Sequence, residues 1–301
     1  MIDKKIIFAM PSAKKVVSEY YKAGKEVFLH LSVTADQCEL MCGHCKAYLL
    51  KKMLPVMDGA ALQRALLARN ISGCLLSGGF DKQGRIDFTP FYGAIRHCKV
   101  QRPDLKIYLH AGFVTLQEAM QIKDCLADAV LVNAIGSRKI IEDVYNLKEY
   151  GPQDYMESIF HLQKASVKVV PHIIAGLEDG KIKSEKQMIQ ALLERGINNL
   201  VLAALKRLSK KAGFTSSCFH PGAFIDLIHY AKRIDPRCTL SIGCARPPYL
   251  RKHDVELQMI QAGADILSFP SEDTLRFYHE NNLAYELIET CCSPTEIKDS
   301  S

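Results

Sequence analysis

Residues 27–50 read VFLHLSVTADQCELMCGHCKAYLL, a strand-like apolar run followed at once by Cys38, Cys42 and Cys45 in Cys-x3-Cys-x2-Cys spacing. A short loop with this spacing can point three thiolates at one cubic iron–sulfur cluster, each taking one iron. One iron of a four-iron cube is then left without a protein ligand. Such an open iron can bind and reduce a small molecule, whereas clusters used only for electron transfer are usually closed by four protein ligands. Two other readings compete: a structural zinc site, and thiols that are neighbours by chance. Zinc sites pair two Cys-x2-Cys units or add histidines at set distances, and only His44 lies nearby.

Working outward, seven more apolar runs follow the first: GCLLSGG (73–79), KIYLHAG (106–112), AVLVNAIG (129–136), VKVVPHIIAG (167–176), NNLVLAAL (198–205), CTLSIGCA (238–245) and ADILSFP (264–270). Between them lie DGAALQRALLAR, TLQEAMQIKDCLA, DYMESIFHLQKA and EKQMIQALLERG, several with apolar residues three and four apart, which is helical spacing. Eight strands with intervening helices predict βα repeats and a parallel sheet forming a (β/α)8-type barrel, complete or partly open.

Length and composition agree with one domain. The chain has 301 residues and 48% hydrophobic content, with no composition break that would mark a linker. The domain is expected to span 1–301, with a core over about 26–275 and a C-terminal extension over 276–301 that folds across the barrel mouth. There is no apolar run of about 18 residues and no secretory leader pattern, so no membrane span is predicted and a cytoplasmic location is expected. Disulfide frameworks belong to small secreted domains, so the 11 cysteines are read as thiols and metal ligands. The net charge of +6 is spread along the chain apart from RLSKK at 207–211, read as a solvated helix face, and nucleic acid is not indicated.

In a parallel barrel the reactive face lies at the C-terminal ends of the strands. Those ends present Ser77, Gly78 and Gly79, then His110, Asn133, His172, Gly176, Cys244 with Arg246, and Ser268. Any one of them reads equally as a strand end meeting water. Their joint placement round the Cys38 loop makes the set a candidate site.

The cysteine spacing resembles the signature of the radical S-adenosylmethionine superfamily, in which an aromatic-type residue precedes the third cysteine. His44 fills that position. The resemblance implies that Cys38, Cys42 and Cys45 hold a [4Fe-4S] cluster whose open iron chelates S-adenosylmethionine, and that the cluster cleaves it to a 5′-deoxyadenosyl radical. It further implies that Ser77-Gly78-Gly79 binds the amino group of that cofactor, that Asn133 contacts its ribose or carboxylate, and that Ile173 and Gly176 of PHIIAGLEDGK border its adenine.

The motifs LLSGG, YNLKEYG, PHIIAGLEDGK, IGCARPP and ETCCS together look like the biotin-synthase-like group that includes the two-component lipoyl synthases. That likeness implies a sulfurtransferase that thiolates the octanoyl chain of an octanoyl-lysyl lipoyl carrier protein. It also implies a second radical enzyme as partner and an electron donor such as ferredoxin or flavodoxin. Sulfur insertion needs a sulfide held beside the substrate, and a second [4Fe-4S] cluster on Cys244, Cys291 and Cys292 is the expected source. Buried inert thiols are the alternative for these three, and the expected state of Cys98, Cys125 and Cys238. Cys74 and Cys218 stand in reserve. His110, His172 and Arg246 are candidate substrate contacts, Arg246 as a charge partner at the barrel rim for a carboxylate or an acidic carrier surface.

The chain lacks the N-terminal Cys-x4-Cys-x5-Cys motif of single-chain lipoyl synthases, since no cysteine precedes Cys38. A biotin-synthase-like or other single-cluster radical enzyme is the alternative within the superfamily. An iron–sulfur carrier or assembly protein is the alternative outside it, and a zinc-stabilised binding module a third.

Overall fold

Valine, isoleucine and leucine on successive residues, with no polar alternation, are what a parallel strand covered on both faces requires. The computed structural model, which describes residues 4–11, 16–24, 26–205, 220–291 and 293, has eleven strands, the central ones of this kind. They are β1 (Ile6–Ala9), β2 (Val27–Ser32), β3 (Leu54–Pro55), β4 (Ile71–Ser77), β5 (Lys106–Ala111), β6 (Ala129–Asn133), β7 (Val169–Ala175), β8 (Asn199–Ala204), β9 (Thr239–Ile242), β10 (Ile266–Ser268) and β11 (Tyr285–Ile288). All pairings are parallel, in the order β11-β1-β10-β9-β8-β7-β6-β5-β4-β2-β3. The sheet is a curled half-barrel, open between β3 and β11. Each of the eight predicted runs carries a strand. The three others are short, and two of them take the sheet outside residues 26–275.

The helices are α1 (Gly59–Leu66), α2 (Tyr92–Gln101), α3 (Leu116–Asp124), α4 (Arg138–Asp143), α5 (Pro152–Lys164), α6 (Ser184–Glu194), α7 (Pro221–Ile234), α8 (His253–Gln261) and α9 (Glu272–Glu280). Their starts carry the chemistry that orphan N–H groups demand: Asp58 caps α1, Thr115 and Glu118 form a reciprocal capping box on α3, and Ser271 caps α9. Among the described residues no helix is long and apolar enough to cross a membrane.

Strand residues alternate between two cores. Leu31, Leu76, Leu109, Val130, Val132, Ile173, Leu200, Leu202 and Leu240 face the helices, meeting Leu62, Ile95, Ile122, Ile159, Ile189 and Ile228. Each such side chain contributes about 1.5–3 kcal/mol on burial. The opposite face lines the lumen, where Phe28, Tyr108, Ala129, Leu131, Val170 and Val201 form a separate apolar floor with Leu75 packed against it. Cys291 belongs to that floor. The segment after β11 carries it there, and Glu289, which accepts hydrogen bonds from Tyr21 Oη (2.6 Å) and Gly24 N (2.5 Å), anchors the turn.

One sequence expectation is corrected here. Arg246 is not a rim charge: it and Glu256 have side chains that are 0% exposed, with Nη2 of Arg246 3.1 Å from Oε1 of Glu256. The same Nη2 donates to the carbonyls of Ser268 (2.5 Å) and Phe269 (3.1 Å). Oε2 of Glu256 accepts from Ser271 N (2.8 Å) and Thr274 Oγ1 (2.8 Å). The pair therefore ties the loop after β9 to α8, the end of β10 and the start of α9, while Nε and Nη1 of Arg246 have no hydrogen-bond partner among the described residues. RLSKK at 207–211, Cys218 and Cys292 lie outside the described residues.

Removing one member of a fully buried ion pair strands the other. Glu256→Ala is therefore expected to lower stability by about 3–5 kcal/mol, read as a shift of the denaturant midpoint. An unchanged midpoint would contradict this role.

Candidate active site

The cysteine loop leaves β2 through a tight turn in which Ser32 Oγ donates to Ala35 O (2.6 Å) and Thr34 Oγ1 donates to Gln37 O (3.0 Å). Ala35, Met41, Lys46 and Ala47 all have positive φ, between 44° and 57°. Each such residue costs about 1–3 kcal/mol and persists only where surroundings dictate it. Two neighbouring segments do so.

The first is the end of β4. A Cβ on Gly79 would lie 1.8 Å from Gln37 O and 2.6 Å from Cα of Cys38. Glycine is required there because the loop backbone occupies the place of a side chain. Gly79 N also donates to Thr34 Oγ1 (2.7 Å), and Glu39 N to Phe80 O (2.8 Å). Gly78 sits against Val33 and Thr34. Ser77-Gly78-Gly79 is thus the seat of the loop, a role that its expected contact with a cofactor amino group did not anticipate.

The second is Val144–Asn146, just beyond α4. Gly43 N donates to Val144 O (2.7 Å), and Nδ2 of Asn146 donates to Leu40 O (2.6 Å). The Tyr145 ring packs on His44, centroids 5.1 Å apart. Burial pulls the His44 imidazole down to about 4, so it is neutral at pH 7. Sequence reading assigned no role to Val144–Asn146, although YNLKEYG was among its motifs.

Held in this way, Cys42 is 6% exposed while Cys38 and Cys45 are half-buried. Burial, reinforced by the Cys38 and Cys45 thiols, pushes the Cys42 thiol up to about 12, and burial raises Cys45 as well. Three close thiols resist joint ionisation, and iron supplies the positive charge that overcomes this. The donor set therefore fits a three-cysteine cluster. Among the described residues no three His, Cys, Asp or Glu side chains converge as they would on a single ion; a cube, taking one sulfur at each of three corners, sets its ligands further apart.

Beside the loop, the lumen is polar above its apolar floor. Ser77, His110, Asn133 and His172 come together: Ser77 Oγ is 3.4 Å from Nδ1 of His110, the His110 and His172 rings are 6.0 Å apart, and Asn133 pairs with His172 in the β6–β7 register. Nδ1 of His172 donates to Val170 O (3.1 Å), which leaves Nε2 to accept from Ser293 Oγ (3.3 Å). The C-terminal segment thus reaches into the site. Cys244, half-buried after β9, packs against the floor that holds Cys291, itself 4% exposed. Cys74, Cys98, Cys125 and Cys238 are buried on the helix side.

His30 was missed by sequence reasoning. It shares the face of Phe28, ring centroids 5.9 Å apart, and the alternation in VFLHLSV was its signal. Ile173 is buried in the larger core, and Ile174, next to it, is half-buried and alternates to the face of Val170 and His172. Gly176 has φ +86°, and its N–H donates to the buried Glu185 Oε1 (3.0 Å) at the start of α6, where burial raises the carboxyl.

No family model matches the chain, and no curated protein matches it. Solved structures do. Methylornithine synthase (PylB) superposes with a TM-score of 0.58 at 12% identity over 87% of this chain and 84% of its own. The FeFe-hydrogenase maturase HydG from Carboxydothermus hydrogenoformans gives 0.59 at 12% identity over 88% of this chain, which spans 58% of HydG. The protein anSMEcpe with bound AdoMet gives 0.50 at 12% identity, over 79% of this chain and 67% of that one. The chain shares their fold.

Gly79→Ala is expected to force the cysteine loop off β4 at a cost of about 1–3 kcal/mol or more, and to cut the iron bound on anaerobic reconstitution to a small fraction. Gly93→Ala, whose Cβ would meet nothing within 4 Å, serves as the neutral control. Full iron loading in Gly79→Ala would refute the seating role.

Proposed function

We propose that this chain is a radical S-adenosylmethionine enzyme. One observation carries the reading: a Cys-x3-Cys-x2-Cys loop is fixed at the C-terminal mouth of a parallel half-barrel, beside a lumen lined with polar side chains. The likeness in fold to anSMEcpe with bound AdoMet supports it. Cys38, Cys42 and Cys45 would hold a [4Fe-4S] cluster, which when bound supplies the electron that cleaves S-adenosylmethionine. The chain's own residues do the rest. The β4 end and Val144–Asn146 fix the loop, while Ser77, His110, Asn133 and His172 offer hydrogen bonds that orient a ligand. Phe28, Tyr108, Val170 and Val201 keep water from the floor.

The finer reading is a sulfurtransferase of lipoyl synthase type, acting on an octanoyl chain carried by a lipoyl carrier protein. Support comes from Cys244 and Cys291 meeting one lumen cluster, and from an apolar floor suited to an alkyl chain. Cys244, Cys291 and Cys292 would then hold a second [4Fe-4S] cluster as sulfur donor. A second radical component and a ferredoxin or flavodoxin would act with it.

The test is anaerobic reconstitution followed by assay with a strong reductant, S-adenosylmethionine and an octanoyl-lysyl peptide, with and without the partner. 5′-Deoxyadenosine is expected from the unmodified chain and none from Cys42→Ala; its absence from both would overturn the radical reading. Cys291→Ala is expected to retain nucleoside release, lose one cluster's iron and form no thiolated peptide. Unchanged iron in that variant would remove the second cluster and leave a single-cluster enzyme.

A further inference from the structure

We propose that the Tyr145 hydroxyl donates a hydrogen bond to a sulfur of the bound cluster, on the Cys42 and Cys45 side, and thereby sets how readily the cluster is reduced. This rests on the reading of Cys38, Cys42 and Cys45 as cluster ligands. Tyr145 is 2% exposed, and its hydroxyl has no hydrogen-bond partner among the described residues. A buried hydroxyl without a partner is costly, and native structures rarely keep one without a use.

Tyr145 is held from several sides. Tyr145 N donates to Ile140 O (3.2 Å) and Leu147 N to Ile141 O (3.0 Å), which tie the segment to α4. On either side of Tyr145, Val144 O and Asn146 Nδ2 bond the loop backbone at Gly43 and Leu40. The ring lies against His44, between Cys42 and Cys45 in sequence. Burial first, then Tyr155, Cys42 and Cys45, raise the phenol well above its ordinary range, so it stays protonated and can only serve as donor or neutral acceptor. Cluster sulfurs are negatively charged acceptors, and hydrogen bonds to them favour the more negative, reduced state.

The experiment is a redox titration of the reconstituted holoenzyme, followed by EPR of the reduced cluster, in unmodified protein and Tyr145→Phe. At a fixed solution potential, Tyr145→Phe is expected to lower the reduced-to-oxidised ratio about tenfold, ~59 mV for one electron, with iron content unchanged. A normal potential in an iron-replete variant would overturn the proposal. If Tyr145→Phe assembles no cluster, pulsed EPR of the unmodified holoenzyme in H2O and D2O decides: a coupled exchangeable proton is expected, and its absence overturns the proposal. Failure of the cluster reading itself is distinct, because the unmodified chain would then bind no iron and both proposals would fall.

Discussion

In the proposed cluster site three thiols must ionise together although they repel one another, so whatever holds them has to be rigid before any metal arrives. Rigidity here comes from backbone contact rather than from side-chain packing: the loop lies so close to Gly79 that a methyl group there would overlap the Gln37 carbonyl. Four left-handed residues without glycine are tolerated because the end of β4 and Val144–Asn146 bond the loop from two directions. Strain is concentrated where preorganisation is needed, as at other ligand-binding centres.

The half-barrel supplies the rest of the setting. Strict alternation along the strands divides an outer core shared with the helices from a lumen that is apolar at its base and polar at its mouth. The segment after β11 enters that lumen, sets Cys291 on the floor and brings Ser293 to His172. The polar mouth of the lumen and the C-terminal segment therefore meet at one place. Arg246, by contrast, belongs to the wall: its Nη2 meets Glu256 and the Ser268 and Phe269 carbonyls, fully buried.

Long apolar runs made the eight central strands legible, and the Cys-x3-Cys-x2-Cys spacing singled out the loop without reference to any neighbour. β1, β3 and β11 were not legible, since two to four residues carry too little periodicity; β1 and β11 take their strand character from partners hundreds of residues apart, as between Ile6 and Tyr285, and β3 takes its own from Leu31 and Ser32 of β2. Strand parity, applied to residues 167–176, would have turned Ile173 outward and Ile174 inward. Arg246 was misread for a different reason: a charge after a strand end looks solvated until its partner is known, and Glu256 lies on another element. Tyr145 was visible only as a motif letter and Gly79 only as an expected cofactor contact, because what they touch is set by tertiary contact.

The central claim is that three sulfurs of one loop hold a cube whose fourth iron is open to a small molecule. Mössbauer spectroscopy of 57Fe-reconstituted protein, recorded with and without S-adenosylmethionine, tests it most directly. The expected result is that one iron of the cube changes its spectrum on addition while the other three do not. Spectra that are identical in both samples, or iron that never assembles into a cube on Cys38, Cys42 and Cys45, would contradict it.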